Sequence, residues 1–180
     1  VASDECYAAL AWDEPWASDG VPSILDPRVG GGDLTGLLAV HSLSKQSSMA
    51  GYRAAWVAGD PGLVAGLLEV RKHAGFMVPA PVQAAMTAAL ADDTHVTEQR
   101  ARYARRRRVL AAALAEAGYE IGGGPAGLYL WVSAPGGQSA RQTATDLAGL
   151  GILVAPGDFY GPRGARHVRV ALTASDEDVA

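Results

Sequence analysis

The apolar run Leu37-Leu38-Ala39-Val40-His41 leads directly into the polar turn Ser42-Leu43-Ser44-Lys45-Gln46-Ser47-Ser48. A run of this length and composition is typical of a strand buried inside a parallel sheet. In α/β proteins the carboxyl ends of such strands form the edge at which ligands bind. The sequence therefore predicts a strand over residues 37–41, with Lys45 at the ligand-binding edge of a sheet.

Strand and helix patterns alternate along the rest of the chain. Strands are predicted at 1–3, 54–58, 128–132, 152–155 and 167–172, and helices at 63–73, 81–91, 94–117 and 140–150. Residues 12–33, which are rich in Pro, Gly and Asp, are expected to form a surface loop. This alternation indicates an α/β protein with a domain boundary near Asp93.

Composition narrows the class of protein. The chain has 180 residues, 49% of them hydrophobic, and a net charge of -4. These values favour a folded core and argue against a disordered chain or a dedicated nucleic-acid binder. No run approaches about 18 uninterrupted apolar residues, so no membrane span is expected. The chain starts at Val1 inside a predicted strand and stops at Ala180 inside a predicted helix start, so we expect a piece of a longer protein.

Lys45 is the strongest candidate for a reactive group. A lysine amine in a desolvated site can attack a carbonyl carbon. The hydroxyls of Ser42 and Ser44 and the guanidinium of Arg53 lie within a dozen residues of one another and could hold a phosphate. The alternative is a surface lysine in a serine-rich loop.

Asp4 and Tyr7 form a second candidate pair at the end of the predicted first strand. A carboxylate can pair with a protonated ring nitrogen, and a phenol three residues later can donate to a ring oxygen. A pyridoxal cofactor needs both interactions. The alternative for Asp4 is a helix N-cap.

Arg169 is a third candidate because it interrupts an apolar strand, Val168-Arg169-Val170-Ala171-Leu172. A buried arginine requires an anionic partner, and a substrate carboxylate bound by two hydrogen bonds would serve. A structural ion pair is the alternative.

Taken together and in this order, these elements resemble the class I/II aminotransferases, which are pyridoxal 5'-phosphate enzymes of fold type I. The resemblance rests on Asp4-Glu5-Cys6-Tyr7, Ser42-Leu43-Ser44-Lys45, Gly51-Tyr52-Arg53, Gly127-Leu128-Tyr129-Leu130-Trp131, Ala155-Pro156-Gly157 and Arg169. It spans the whole chain but only the later part of a family member. It implies that residues 1–93 end the large cofactor-binding domain, a three-layer α/β/α structure, and that 94–180 form an α+β small domain.

The resemblance also implies a role for each candidate residue. Lys45 would bond to the cofactor and later move a proton, while Asp4 would hold the pyridine nitrogen and Tyr7 the ring 3'-oxygen. Ser42, Ser44 and Arg53 would bind the phosphate. Arg169 would bind the α-carboxylate of the substrate.

A narrower similarity points to actinobacterial succinyldiaminopimelate transaminases. It rests on Gly51-Tyr52-Arg53, Gly59-Asp60-Pro61, Glu69-Val70-Arg71-Lys72-His73, Val78-Pro79-Ala80-Pro81-Val82-Gln83 and Gly157-Asp158-Phe159-Tyr160-Gly161. That family transfers an amino group between N-succinyl-diaminopimelate and 2-oxoglutarate in lysine biosynthesis. The similarity implies a homodimer with a subunit contact around Val78-Pro79. The single cysteine and the mild acidity of the chain favour a cytoplasmic enzyme.

Three other functions share the same residues: another amino-acid aminotransferase, a carbon–sulfur lyase, and the aminotransferase-like effector domain of a transcription regulator. A metal site is not expected, because the four histidines share no ligand spacing and Cys6 has no second cysteine. The run Arg105 to Arg108 is interpreted as part of an exposed helix. Tyr129 and Trp131 are expected to fill the core of the small domain.

Overall fold

The computed structural model describes residues 1–179, which form two compact units. The first is Val1–Gln99 and the second begins at Arg100. This division lies slightly after the boundary predicted at Asp93. The assignment of the two parts to a large and a small domain stays a prediction.

The first unit contains a three-stranded mixed sheet. Its strands, in spatial order, are β1 (Ala2–Asp4), β2 (Leu38–Ser42) and β3 (Ala55–Gly59). β1 runs parallel to β2, and β3 is antiparallel to β2 with Ser42 opposite Ala55. The carboxyl ends of β1 and β2 and the start of β3 therefore share one edge of the sheet.

The helices that lie or begin in the first unit are α1 (Trp16–Asp19), α2 (Pro27–Gly30), α3 (Leu43–Gln46), α4 (Pro61–Ala74), α5 (Ala80–Leu90) and α6 (Thr94–Glu116). Asp60 begins α4, since its carboxylate accepts hydrogen bonds from the backbone N–H groups of Gly62 and Leu63. The short helices α1 and α2 lie inside the segment that was expected to be a loop.

A small apolar core supports the segment that follows β2. Leu43 and Ala54 are almost fully buried and form a cluster with Met86 of α5. Trp56 and Val82 pack against this cluster. Because Leu43 and Ala54 bracket the segment between β2 and β3, both of its ends are fixed by burial.

The second unit contains a four-stranded antiparallel sheet and the end of α6. The strands are β4 (Glu120–Gly122), β5 (Tyr129–Ser133), β6 (Ala155–Pro156) and β7 (His167–Ala171), in the spatial order β4-β5-β7-β6. The other helices are α7 (Ala140–Gly149) and the short α8 (Asp176–Val179).

The two faces of this sheet differ in chemistry. Leu130, Val132, Val168 and Val170 are buried on one face. The alternate residues of the same strands are half-buried on the other: Tyr129, Trp131, His167 and Arg169. The expectation that Tyr129 and Trp131 belong to the core was wrong, because they lie on the aromatic and cationic face.

Two other sequence predictions differ from the structure. The strand expected at 152–155 is reduced to Ala155–Pro156, and Leu153 is 89% exposed. β4 was not predicted, because its short sequence Glu120-Ile121-Gly122 carries no alternating pattern. Within residues 1–179, no helix has the length and apolar character needed to cross a membrane.

Candidate active site

Five of the candidate residues lie along one edge of the first unit's sheet, and Ser44 is next to Lys45 among them. Asp4 ends β1 and is paired in register with Val40, while Ser42 ends β2. The Ser42–Ala55 register pair closes the segment 43–54, which carries Lys45 on α3 and Arg53 at its far end. The fold thus brings the predicted carboxylate, amine and guanidinium to the same edge, with Tyr7 just beyond Asp4.

Lys45 has a side chain without an acidic partner. It is half-buried on α3, and none of the carboxylates within residues 1–179 forms an ion pair with it. Its positive charge acts on the thiol of Cys6, which lies between Asp4 and Tyr7. The Lys45 side chain is therefore not neutralised by an ion pair within these residues, and it lies near enough to Cys6, just after β1, for its charge to act there.

Asp4 is held as an anion. The Cys6 side chain and backbone N–H donate to its carboxylate, the latter at 3.0 Å, and these bonds lower the pKa of Asp4. Burial and the hydrogen bond with Asp4 raise the pKa of Cys6 to about 11. At neutral pH the pair is thus a carboxylate beside an uncharged thiol, so Asp4 rather than Cys6 is the charged group at this point.

Ser42 and Ser44 form a small hydroxyl network. The Ser42 Oγ accepts from the Ser44 N–H at 3.1 Å, and it lies 3.1 Å from the Ala54 carbonyl and 2.8 Å from the Ser44 Oγ. A hydroxyl carries one proton, so Ser42 can donate to only one of these two oxygens. Ser42 therefore caps α3 in this structure, and the phosphate roles of both serines stay predictions.

Arg53 has a left-handed backbone. Its φ is 53°, and so is that of Ser48 in the same segment. A non-glycine residue adopts this conformation at an energetic cost, and such residues are concentrated at functional sites. One guanidinium nitrogen of Arg53 donates to the Ala50 carbonyl at 2.9 Å, while the residue as a whole stays exposed. Its other donors can reach an anion.

Glu5, next to the candidate site residue Asp4, is a buried carboxylate that the sequence prediction did not single out. Its buried carboxylate accepts from the Ile24 N–H at 2.8 Å and the Ser23 hydroxyl at 3.1 Å, and it lies 3.1 Å from the His41 Nε2. His41 in turn stacks on Trp56, with 4.6 Å between ring centroids. The sequence shows two adjacent acidic residues, Asp4 and Glu5, but it does not show which of the two carboxylates is buried.

Arg169 lies in the second unit, on the aromatic face of its sheet. No acidic side chain of residues 1–179 forms an ion pair with it, and its buried Nε has no hydrogen-bond partner there. Its guanidinium carbon lies 4.2 Å from the ring centroid of Tyr129 and 5.2 Å from that of Tyr160. The arginine is thus held by aromatic rings rather than by a structural ion pair.

The donor set at the sheet edge fits pyridoxal 5'-phosphate. Asp4 supplies an anion for a protonated ring nitrogen, Lys45 an amine for the carbonyl carbon, and Arg53 a cation for the phosphate. Tyr7 is half-buried just after Asp4, where a phenol could reach the ring oxygen. Among residues 1–179 there is no cluster of ligands that would hold a metal ion.

Comparison with known proteins agrees with this chemistry. The family Aminotransferase class I and II matches residues 1–180. The chain is 63% identical to "Probable aminotransferase Rv1178" of Mycobacterium tuberculosis, aligned over 100% of this chain and 41% of that protein. It is 54% identical to the "4-dedimethylamino-4-oxo-anhydrotetracycline transaminase OxyQ" of Streptomyces rimosus, over 100% of this chain and 48% of that protein.

More distant relatives are aminotransferases too. An "LL-diaminopimelate aminotransferase" of Nitratidesulfovibrio vulgaris is 33% identical, over 98% of this chain and 45% of that protein. The crystal structure of an aminotransferase from Neisseria meningitidis superposes with a TM-score of 0.86 at 30% identity, covering 99% of this chain and 46% of that one. The chain therefore spans less than half the length of each of these relatives.

The predicted fold class is confirmed, since solved aminotransferases of fold type I cover nearly the whole chain. Enzymes of this family depend on pyridoxal 5'-phosphate, the cofactor that the donor set at the sheet edge fits. From its sequence, its fold and the residues at its sheet edge, this chain belongs to the class I and II aminotransferases.

Proposed function

We propose that the full-length protein is a pyridoxal 5'-phosphate-dependent aminotransferase that moves an amino group between an amino acid and 2-oxoglutarate. The observation that carries this proposal is the Lys45 side chain, which forms no ion pair with the carboxylates of residues 1–179 and lies at the same sheet edge as the anionic Asp4. A covalent anchor and a ring-nitrogen partner are the two groups that this chemistry requires of the protein.

The residues of this chain would divide the work as follows. The bound cofactor supplies an electron sink that stabilises negative charge at the substrate's α-carbon. Asp4 would keep the ring nitrogen protonated, Arg53 with Ser42 and Ser44 would hold the phosphate, and Tyr7 would donate to the ring oxygen. With the cofactor and substrate bound, the Lys45 Nζ would act as the general base that takes the proton from the α-carbon. Arg169 orients the substrate by its carboxylate.

The amino donor that we propose is N-succinyl-LL-2,6-diaminopimelate, which would place the enzyme in lysine and diaminopimelate biosynthesis. Support comes from the diaminopimelate aminotransferase among the relatives at 33% identity and from the motif similarities of the sequence. The 54% identity to a 4-oxo-anhydrotetracycline transaminase makes a substrate of that kind the second candidate. We further propose that the protein is a cytoplasmic homodimer, in line with its family.

Covalent trapping tests the reaction class. The full-length protein loaded with cofactor is reduced with borohydride, digested and mapped by mass spectrometry. We expect a pyridoxyl adduct on Lys45, and loss of that adduct in K45R with activity lowered by a factor on the order of 10³ or more. Cofactor-loaded protein in which Lys45 remains unmodified would contradict the proposal.

A separate assay tests the substrate. Purified enzyme is supplied with N-succinyl-diaminopimelate and 2-oxoglutarate, and glutamate is measured. Glutamate formation supports the proposed donor. Glutamate formed only from other amino acids would exclude this donor while keeping the reaction class. Ammonia and pyruvate without glutamate would identify a lyase instead.

A further inference from the structure

Arg169 is enclosed by two tyrosine rings that come from different parts of the second unit. Tyr129 lies on β5, next to β7, and its ring centroid is 4.2 Å from the guanidinium carbon. Tyr160 lies outside the sheet, in the segment Gly157–Gly164, with its ring centroid at 5.2 Å. Both distances are within the range at which a cation is attracted to an aromatic face.

The backbone rather than burial fixes the position of Tyr160, which is 54% exposed. The two ends of the segment Gly157–Gly164 lie so close together that neither glycine has room for a side chain. A Cβ atom on Gly157 would lie 2.4 Å from the Gly164 carbonyl oxygen, and one on Gly164 would lie 2.1 Å from the Gly157 oxygen. Trp131 then meets the Tyr160 ring edge-on, with 5.7 Å between centroids.

Holding an arginine by aromatic faces differs chemically from holding it by a carboxylate. An aspartate or glutamate would occupy the N–H edge of the guanidinium and neutralise its charge. A ring stacked on the guanidinium plane leaves the N–H donors at the edge available, and it limits the rotation of a long, flexible side chain. Arg169 thus keeps both its charge and its fork of donors for a ligand.

We propose that Tyr129 and Tyr160 form an aromatic clamp that positions Arg169 for the substrate carboxylate. The clamp favours substrates with a carboxylate next to the reacting amine over amines that lack one. This inference rests on the proposed function, since it deepens the role of Arg169. Both tyrosines are positioning residues that act through Arg169.

Two small reagents separate this role from general support of the fold. Aminooxyacetate and O-methylhydroxylamine both react with the cofactor's carbonyl carbon, but only the first carries a carboxylate. The full-length holoenzyme is mixed with each, and the second-order rate constant is followed by the change in cofactor absorbance. The variants are Y160L and Y129L, with Y160F and Y129F as matched controls that keep the ring.

We expect Y160L and Y129L each to lower the rate constant for aminooxyacetate about tenfold, with that for O-methylhydroxylamine unchanged. The phenylalanine variants should stay within about twofold of wild type. Equal losses for both reagents, or no loss in either leucine variant, would overturn the clamp.

R169Q distinguishes failure of the clamp from failure of the proposed function. If R169Q does not lower the rate with aminooxyacetate, Arg169 does not bind the carboxylate, so its proposed role and the clamp both fail, while the Lys45 adduct still tests the reaction class. If R169Q lowers that rate but the leucine variants do not, the role of Arg169 stands and the clamp is wrong.

A second readout needs no cofactor. In cofactor-free protein, phenylglyoxal modifies accessible guanidinium groups, and peptide mass spectrometry reports the rate at Arg169. We expect that rate to rise several-fold in Y160L and to stay near wild type in Y160F, because the ring covers one face of the guanidinium. An unchanged rate in Y160L would contradict the enclosure.

Discussion

Glu5 is a buried carboxylate that connects several segments next to the candidate site. Burial raises the pKa of Glu5, but hydrogen bonds from Ile24, Ser23 and His41 outweigh burial and leave that pKa lowered. Glu5 thus stays ionised and joins the end of β1 to the segment around Ile24 and to β2. Its neighbour Asp4 is fixed at the same point, because the Glu5 N–H donates to the Val40 carbonyl at 2.9 Å.

Replacing Glu5 should destabilise the protein according to what the new side chain can accept. E5L leaves the Ile24 N–H without its acceptor, and we expect a loss of about 2–3 kcal/mol in the free energy of unfolding. E5Q keeps an amide oxygen for the Ile24 N–H, so the loss should be about 1 kcal/mol. Urea denaturation of the full-length, cofactor-free protein, followed by circular dichroism, measures both. Equal stability of E5L and wild type would show that the bond to Ile24 contributes nothing.

At the residue scale, Lys45, Asp4 and Arg169 could be singled out as candidates from the sequence because each of them breaks a local pattern. A charged side chain after or within an apolar strand is visible in the sequence alone. Tyr160 could not be found in this way, since its contact with Arg169 depends on a backbone crossing. Glu5 was missed because sequence does not show which of two adjacent carboxylates is buried.

At the scale of secondary-structure elements, the segment Gly157–Gly164 depends on glycine at both ends, because the backbone passes too closely there to leave room for a side chain. A Cβ at Gly157 would lie 2.5 Å from the His167 carbonyl oxygen as well as 2.4 Å from that of Gly164. Backbone atoms on both sides cannot yield as a flexible side chain would. Even the smallest side chain must therefore displace the segment.

The variant G157A tests this packing. We expect it to lower the free energy of unfolding by about 2–3 kcal/mol and to weaken the enclosure of Arg169 by Tyr160. Its matched control is G149A at the end of α7, where a Cβ meets nothing within 4 Å. G149A should be neutral or stabilising by up to about 1 kcal/mol, since alanine favours a helix over glycine. Thermal unfolding of both full-length variants measures the difference, and similar melting temperatures would contradict the packing argument.

Most helices and strands were predictable because their apolar side chains repeat at a regular period. α4, α5, α6 and α7 begin and end within a few residues of expectation. The arginine run on α6 shows the limit of that reasoning. Arg106, expected on an exposed helix, is largely buried, and its Nε donates to Asp176 at 2.6 Å. That partner lies 70 residues away, beyond the reach of a periodic pattern.

Across residues 1–179, hydrogen bonds lower the pKa values of several carboxyl groups. The pKa values of Asp4, Glu5, Asp33, Asp60, Asp92 and Asp176 are lowered, each by hydrogen bonds to its carboxylate. Hydrogen bonds with Arg28 lower the pKa of Asp26 as well, to about 2. These groups bind protons more weakly in the folded chain than in the unfolded one.

The stability of the protein should therefore fall in acid. A lowered folded pKa contributes stability that is present above the unfolded pKa, about 4, and is lost as the pH falls through the folded pKa. We expect the urea midpoint of the cofactor-free protein to stay level from pH 7 to pH 5 and to drop steeply below pH 4. The gap between wild type and E5Q should narrow over the same range. A midpoint that rises below pH 4 would contradict this account.

At this scale the sequence predicted the alternation of strands and helices but not the pairing of strands. β3 reads like any short apolar strand, yet it runs antiparallel to β2. Its direction follows from the tight return of the chain through residues 43–54, which the cluster of Leu43, Ala54 and Met86 holds in place. Such long-range packing leaves no local periodic signal.

The close approach of Gly157 and Gly164 also bears on how the proposed aminotransferase could change its substrate. This close approach leaves the intervening tip positions Phe159 and Tyr160 on the surface, 66% and 54% exposed. Substitutions at these two exposed positions can change the side chains near Arg169 without disturbing the apolar core. The two glycines thus fix the backbone of the segment, while the side chains at its tip can be exchanged. A library randomised at Phe159 and Tyr160 is therefore a suitable starting point for directed evolution of substrate preference.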